Sequence, residues 1–243
     1  MVHEFRFDSM TFPPEVEAFR MEVRAFLREE IAAGTFTPGD TDKEAAYNPA
    51  FSRKVGQRGW LGMTWPKAYG GHERTHLERY VMTEEMLAVR APVRFHWVAD
   101  RQSGPVLLKY GQEEVKREIV PKIASGELCF CIGLSEPNSG SDLFAASTKA
   151  TKTDGGWLVN GRKIWTSNAH RSDYMIALVR TSASTQENRR HGLTQFLIKM
   201  DENGPKPRPI INLTGAHEFN EVVFDDVFVP DSHVIGRIDE AWR

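Results

Sequence analysis

Residues 133–145, GLSEPNSGSDLFA, decide how the rest of the chain is read. They follow directly on LCFCIGLS (128–135), a short β-rich run, and turn it abruptly into small and hydroxyl-bearing residues. A strand that ends in Ser-Glu-Pro and enters Asn-Ser-Gly-Ser-Asp presents free backbone N–H groups and hydroxyls in one bend. Oriented amides of that kind form an anion-binding concavity without a helix or a lysine, and Ser139 and Ser141 add O–H donors. A pyrophosphate suits such a bend. The plainer alternative is that PNSGSD is a well-made turn, since turn residues also cluster for local reasons. No G-x-G-x-x-G opens a βαβ unit and no G-x-x-x-x-G-K-[ST] occurs, so the Rossmann and P-loop routes to a nucleotide lack support.

A second feature lies downstream in NGRKIWTSN (160–168). Trp165 offers a large planar face beside the hydroxyls of Thr166 and Ser167, a combination that can stack near a flat ring system and donate a hydrogen bond to its nitrogen. The competing reading is that a tryptophan on a strand belongs to the core.

Working outward, the two halves of the chain have different periods. After TFPP, the residues Val16, Phe19, Val23, Phe26, Leu27 and Ile31 recur at spacings of three and four, and Gly34 stops the run. That predicts one amphipathic helix of about five or six turns. Asn48 before Pro49 caps a second helix that Gly59 closes, and further helices are expected at THLERYVMTEEMLA, SGPVLLKYG and QEEVKREIVPKIASG. From Leu128 the pattern becomes short β-rich runs, STKATKT, WLVNGRKIWTS, YMIALVRT, LTQFLIKM, PIINL and EVVFDDVFV. The turn signals among them are DGG, ENGPKP and Asn160-Gly161 at hairpin spacing. A helical half followed by an antiparallel half predicts an α+β chain: a helical domain over 1–127, then a small β-barrel or sandwich domain over 128–243. SASTQENRRH (182–191) reads as a surface loop.

The totals bound the function. With Lys+Arg 31 against Asp+Glu 33 the formal charge is −2, with no basic arm, so neither nucleic acid nor an anionic membrane is an expected partner. No apolar run reaches the roughly 18 residues that a bilayer demands, and MVHEFRFDSM lacks the build of a signal peptide, which points to the cytoplasm. Cys129 and Cys131, spaced i,i+2 on a strand, are poorly aimed for a disulfide and read as reduced core residues.

HERTH (72–76) satisfies H-E-x-x-H letter by letter. A zinc pair needs both histidines inside one helix, whereas Thr75 with Glu78 at capping-box spacing starts the helix after His72, so no metal site is expected. Three smaller groups have plain readings: Asp225-Asp226 as a strand-edge charge pair, Arg189-Arg190-His191 as a solvated basic tip or a phosphate grip, and Phe95, Trp97 and Val98 as core or as the wall of an acyl pocket.

In that order and spacing, GLSEPNSGSDLFA, DGGWLVNGRKIWTSNA and EVVFDDVFVP resemble the acyl-CoA dehydrogenase family of flavoproteins, and GWLGMTWPKAYGG and KYGQEEVKREIVPKIASGEL resemble its helical connectors. The resemblance implies an N-terminal helical domain, a middle β domain and a C-terminal helical domain, with FAD between the last two. It implies that Ile132, Gly133, Leu134, Ser135 and Ser141 contact the flavin or its pyrophosphate, Ser141 also facing the thioester. Trp165, Thr166 and Ser167 would line the flavin, Ser167 donating to N5. The implied reaction is α,β-dehydrogenation of an acyl-CoA to a trans-2-enoyl-CoA, with an electron-transfer flavoprotein or another acceptor downstream and a dimer or tetramer as the assembly. In this family the base is a glutamate of the C-terminal domain. Glu136, Glu221 and Glu240 occupy other places in the pattern, so no catalytic residue is assigned, and the chain is expected to be part of a longer enzyme or to be completed by a partner. FHWVADRQSGP further resembles actinobacterial members that act on sterol side-chain CoA thioesters as hetero-oligomers. An acyl-CoA oxidase and a non-catalytic FAD-binding subunit remain as alternatives.

Overall fold

A computed structural model describes residues 11–40, 45–185 and 187–241. The helical half comprises α1 (Pro14–Ala32), α2 (Pro49–Gln57), α3 (His76–Ala88), α4 (Arg94–Val98), α5 (Gly104–Tyr110) and α6 (Glu113–Ala124). Its starts follow local chemistry. Asn48 accepts the Phe51 amide at the head of α2, with Pro49 in the first turn. Thr75 and Glu78 exchange both bonds of a capping box at the head of α3. His72 therefore precedes the helix that His76 opens, as expected, and its ring packs on Gly59.

The apolar stripe of α1 meets Phe51, Val55, Trp60 and Leu61, with Phe19 and Phe26 edge-on to Trp60. Complete burial of an aromatic such as Phe51 or Trp60 contributes about 1.5–3 kcal/mol each. The helix expected at SGPVLLKYG is longer than its own spacing announces, because α4 continues into it through one π-helical turn, Ala99–Ser103. That turn aims the Asp100 carboxylate inward to accept the Gly62 amide at 2.7 Å. Gly104 then passes so close to Trp65 that a Cβ would sit 2.2 Å from the indole.

The second half is one eight-stranded sheet: β1 (Phe130–Gly133), β2 (Lys149–Thr153), β3 (Gly156–Ser167), β4 (Tyr174–Arg180), β5 (Leu193–Lys199), β6 (Lys206–Ile211), β7 (His217–Pro230) and β8 (Val234–Ile235). The spatial order is β6-β7-β3-β2-β4-β5-β8, and β1 pairs with β4. Seven of the strands send side chains such as Trp157, Met175, Phe196 and Val222 into a single core, so the sheet curls around it. The opposite face of β4 and β5, with Ile176 and Leu197, packs against Leu107, Ile119 and Ile123 of the helices. Two covered faces explain why β4 reads as a continuous apolar run.

The helical half is followed by a mainly antiparallel β half as expected, with two parallel pairings within it, β1 beside β4 (Phe130↔Tyr174) and β2 against β4 at Lys149↔Arg180. One expectation needs correction. Asn160-Gly161 is not a hairpin turn but lies inside β3, where the register against β7 shifts between Val159 and Gly161. The hairpin joining β2 to β3 turns at Asp154-Gly155 instead, with Thr153 facing Gly156. At the bulge, the Asn160 side chain holds Asp226 twice, donating to its carboxylate at 2.7 Å and accepting its amide at 2.9 Å. Asp225 and Asp226 thus sit past the end of β6, where β7 pairs only with β3. Cys129 and Cys131 are buried free thiols, and burial pushes both up, to about 11 and about 12.

Candidate functional site

The first motif leaves β1 at Gly133, which has no room for a side chain: a Cβ there would meet the Met175 sulfur at 2.6 Å and the Lys163 stem at 3.2 Å. Ile132 lies in β1 beside Ile176, half-buried, and Leu134 and Ser135 follow it half-buried as the strand ends. Glu136 and Ser139 then exchange backbone hydrogen bonds at 2.7 and 3.0 Å, and the Ser139 hydroxyl donates to Asp142 O. Pro137 and Asn138 form the exposed crest of that closed turn, and Gly140 and Ser141 follow it, also exposed, where a Cβ at Gly140 would touch nothing. The Ser139 hydroxyl is therefore committed to the turn, and the hydroxyl left facing outward is that of Ser141.

Lys163, Ile164 and the first motif are joined directly. The Ile164 amide donates to Ser135 O at 2.9 Å, Lys163 Nζ donates to Leu134 O at 3.1 Å, and the same ammonium meets Glu136 Oε1 at 2.7 Å. Both charged groups are buried. Glu136 also accepts the amides of Ser147 and Thr148 and the Ser147 hydroxyl. Burial alone would push its carboxyl up, but the Lys163 charge and these donors outweigh burial and hold it at about 2.

Past Lys163 the pairing of β3 with β7 lapses until Thr166. Trp165 falls in this gap with φ +60, a left-handed conformation that costs an ordinary L-residue roughly 1–2 kcal/mol. Its ring is not core: it is 58 % exposed, with Phe219 edge-on at 6.2 Å. The next residue, Thr166, is buried, and its hydroxyl has no hydrogen-bond partner. Ser167 ends the strand exposed. Behind this segment, the fully buried Asn220 donates to Thr166 O at 3.0 Å, and its carboxamide is oriented by His217 at 2.8 Å and His170 at 3.2 Å.

The Ile164–Ser135 bond thus sets the half-buried Leu134 and Ser135 beside the segment that carries the exposed Trp165 and Ser167, while Thr166 between them is buried and Ser141 lies exposed after the neighbouring turn. Lys163, Glu136 and Asn220 support that segment and were not singled out as site residues from the sequence. The one local signal was the lysine of RKIW, a charge where the strand otherwise buries apolar groups. Arg189 and Arg190 lie by the same turn, Arg189 paired with Asp142 at 2.5 Å and Arg190 over the Phe144 ring. Phe95 is buried, with Tyr47 edge-on, and Trp97 carries the Arg101 guanidinium at 4.9 Å. Among the described residues no group of three or more His, Cys, Asp or Glu could hold a metal, and no helix is long and apolar enough to cross a membrane.

A flat, hydrogen-bonding group fits these residues: an indole held outward at a conformational cost, a buried hydroxyl without a partner, and two exposed serines. Comparison with known proteins shows the family. The sequence model of the acyl-CoA dehydrogenase N-terminal domain matches residues 13–127, and that of the acyl-CoA dehydrogenase middle domain matches 131–227. The chain is 33% identical over 235 residues to acyl-CoA dehydrogenase IpdE1 of Mycobacterium tuberculosis, covering 94% of this chain and 60% of that protein. It is 37% identical over 221 residues to acyl-CoA dehydrogenase FadE34 of the same organism, covering 90% of this chain and 30% of that one. Among solved structures, the Tcur3481-Tcur3483 steroid ACAD superimposes with a TM-score of 0.80 at 31% identity, over 96% of this chain and 60% of its own. The chain therefore spans about 60% or less of the length of these relatives. It belongs to the acyl-CoA dehydrogenase family.

Proposed function

We propose that this chain binds FAD across residues 132–141 and 165–167 and takes part in the α,β-dehydrogenation of an acyl-CoA thioester to a trans-2-enoyl-CoA. The observation that carries this reading is Trp165. A left-handed, outward-facing tryptophan is strain that the chain itself does not use, and such strain clusters where a ligand uses it. When bound, FAD supplies the hydride acceptor. Trp165 would cover the ring system and the exposed Ser167 hydroxyl would donate toward its reactive nitrogen, with Thr166 between them. Such donors, fixed in advance, stabilise charge that develops there without reorganising. Ser141 and the open amides of its turn hold phosphate oxygen or the thioester end of the substrate.

The proton on the α-carbon needs a carboxylate near neutrality, and Glu136 is not that group. Held at about 2, wrapped in three donors from Ser147 and Thr148 and paired with Lys163, it lacks both basicity and access. Glu221 is engaged by Arg162 and Arg208, and Glu240 lies near Arg237. On this reading the base comes from outside the 243 residues, from a longer form of the protein or from a partner subunit, and 1–127 and 128–243 act as its helical and β domains. The resemblance to the steroid ACAD named above supports a steroid-type acyl group, and an electron-transfer flavoprotein is the natural acceptor. The cytoplasm is the proposed location, and a dimer or tetramer the proposed assembly.

The test is an absorption titration of the purified chain with FAD, followed by anaerobic addition of fatty-acyl and sterol side-chain CoA thioesters to chain supplemented with full-length partner candidates. A resolved flavin band that bleaches with a thioester supports the reading. Rapid peroxide formation on admitting air reassigns the protein as an oxidase. A yellow protein that no thioester bleaches makes it a non-catalytic subunit, and a folded chain that takes up no flavin ends the proposal.

A further inference from the structure

Lys163 is fully buried in a strand that buries Trp157 and Val159 before it, and its ammonium reaches two groups, Leu134 O and Glu136 Oε1. Replacing a buried ion pair by apolar residues of like volume is often neutral or stabilising, so stability alone is a weak reason for this one. Its placement supplies another. Glu136 gathers the exit of β1 and, through the Ser147 and Thr148 amides, the approach to β2, while Lys163 is the last residue of β3 paired to β7 before the register lapses. The next amide, Ile164 N, is bonded to Ser135 O, and the residue after that is the left-handed Trp165. Three chain segments thus converge on one ion pair immediately upstream of the kink. Gly133 is packed into the same convergence, since a Cβ there would collide with the Met175 sulfur and press on the Lys163 stem.

We infer that Glu136 and Lys163 are positioning residues that hold residues 164–167 in the kinked form, setting the indole of Trp165 outward and the Ser167 hydroxyl beside it. The inference rests on the FAD reading above for its consequence but not for its geometry. Neither residue touches the ligand. The pair acts by denying β3 its regular register with β7, in which the kink would flatten and the side chains of 165–167 would exchange faces.

The test uses the whole chain and its Glu136→Gln/Lys163→Met double variant, which removes both charges together and so avoids stranding one in the interior. The inference expects a folded protein that binds FAD roughly ten-fold or more weakly, about what one misplaced hydrogen-bonding group costs in affinity. It also expects altered acrylamide quenching of Trp165, isolated by subtracting a Trp165→Phe reference, in the absence of any flavin. A folded double variant with wild-type FAD affinity and unchanged Trp165 quenching overturns it. If neither protein binds FAD, the functional reading falls while quenching of Trp165 still decides the positioning role. If the double variant does not fold, amide hydrogen exchange of the unmodified chain decides. Ile164, Ser147 and Thr148 exchanging only with global unfolding supports the inference, and exchange of Ile164 as fast as the surface loop 182–191 overturns it.

Discussion

The helical half and the β half each bury a polar centre, and they use it differently. In the helical half, Ser52 and His96 meet at 2.8 Å inside the core, with the Ser52 hydroxyl also donating to Asn48 O. The caps of α2 and α3 close and the pair ties α2 to α4, while the irregular points of this half, the π-helical turn Ala99–Ser103 and the left-handed Glu73 and Arg90, carry no exposed ring. In the β half, Glu136 and Lys163 lie just ahead of a strand that stops being regular, with a tryptophan in a conformation favoured by glycine and asparagine, and a hydroxyl without a partner. Both regions depart from local rule in places, but in the second a register lapse, a left-handed exposed aromatic and an unpartnered hydroxyl fall together within residues 163–166. Such a concentration of conflict marks a candidate site.

Acid separates the two centres most strongly. Burial, with a smaller push from Arg101, takes His96 from its ordinary 6.5 down to about 3. The unfolded chain therefore takes up that proton first, so its contribution is complete above 6.5 and is lost as pH falls toward 3. The expected loss is about 2 kcal/mol by a pH of about 5 and about 5 kcal/mol by a pH of about 3. Glu136 has the same sign over a lower window, full above 4.5 and lost toward 2, a contribution of about 3 kcal/mol. Burial lowers His72 and His233 as well, in the same direction as His96. Urea midpoints across this range should show the upper limb shrinking in His96→Asn and the lower limb shrinking in Glu136→Gln. Stability of the unmodified chain that stays flat from neutrality to about pH 5 would remove the contrast.

A smaller effect sharpens the same contrast from the helical side. Thr75→Ala removes one arm of the capping box on α3, leaving the Glu78 amide without its 3.2 Å partner. The expected loss is about 1 kcal/mol in denaturant unfolding. Because the side-chain bonds of Thr75 stay within its own capping box, flavin affinity should not change with it. A cap variant that weakens FAD binding ten-fold would mean that the two regions are coupled.

Whether a feature could be read from the sequence follows the range of the interactions that make it. The Asn48 and Thr75 caps are written within four residues and were legible. So was the bend at 136–141, because its hydrogen bonds are local. Asn160-Gly161 misled because a turn signal was absorbed by a bulge: Asn160 holds Asp226 across the sheet, and Gly161 takes φ +138 against Thr148. The parallel pairing of β1 with β4 joins residues 44 positions apart (Phe130↔Tyr174), beyond the reach of periodicity. Trp165 defied the burial habit of strand aromatics for the same reason, since its exposure is set by a register shift and by Lys163, whose partner Glu136 is 27 residues upstream.

Trp165 itself carries the smallest effect on stability and the sharpest test of the contrast. Asparagine adopts the left-handed region more readily than tryptophan. The ring is more than half exposed, so its removal forfeits little burial beyond the edge contact with Phe219. Trp165→Asn should therefore raise unfolding stability by about 0.5 kcal/mol while abolishing the stacking surface for FAD, a gain in stability against a loss of function. The same exchange at Trp60, fully buried in the helical core, should instead cost about 3–5 kcal/mol. If Trp165→Asn destabilises the chain by an amount comparable to Trp60→Asn, the indole is a structural element after all. The left-handed backbone at 165 would then be a consequence of packing, and the β half would be as regular in its logic as the helices.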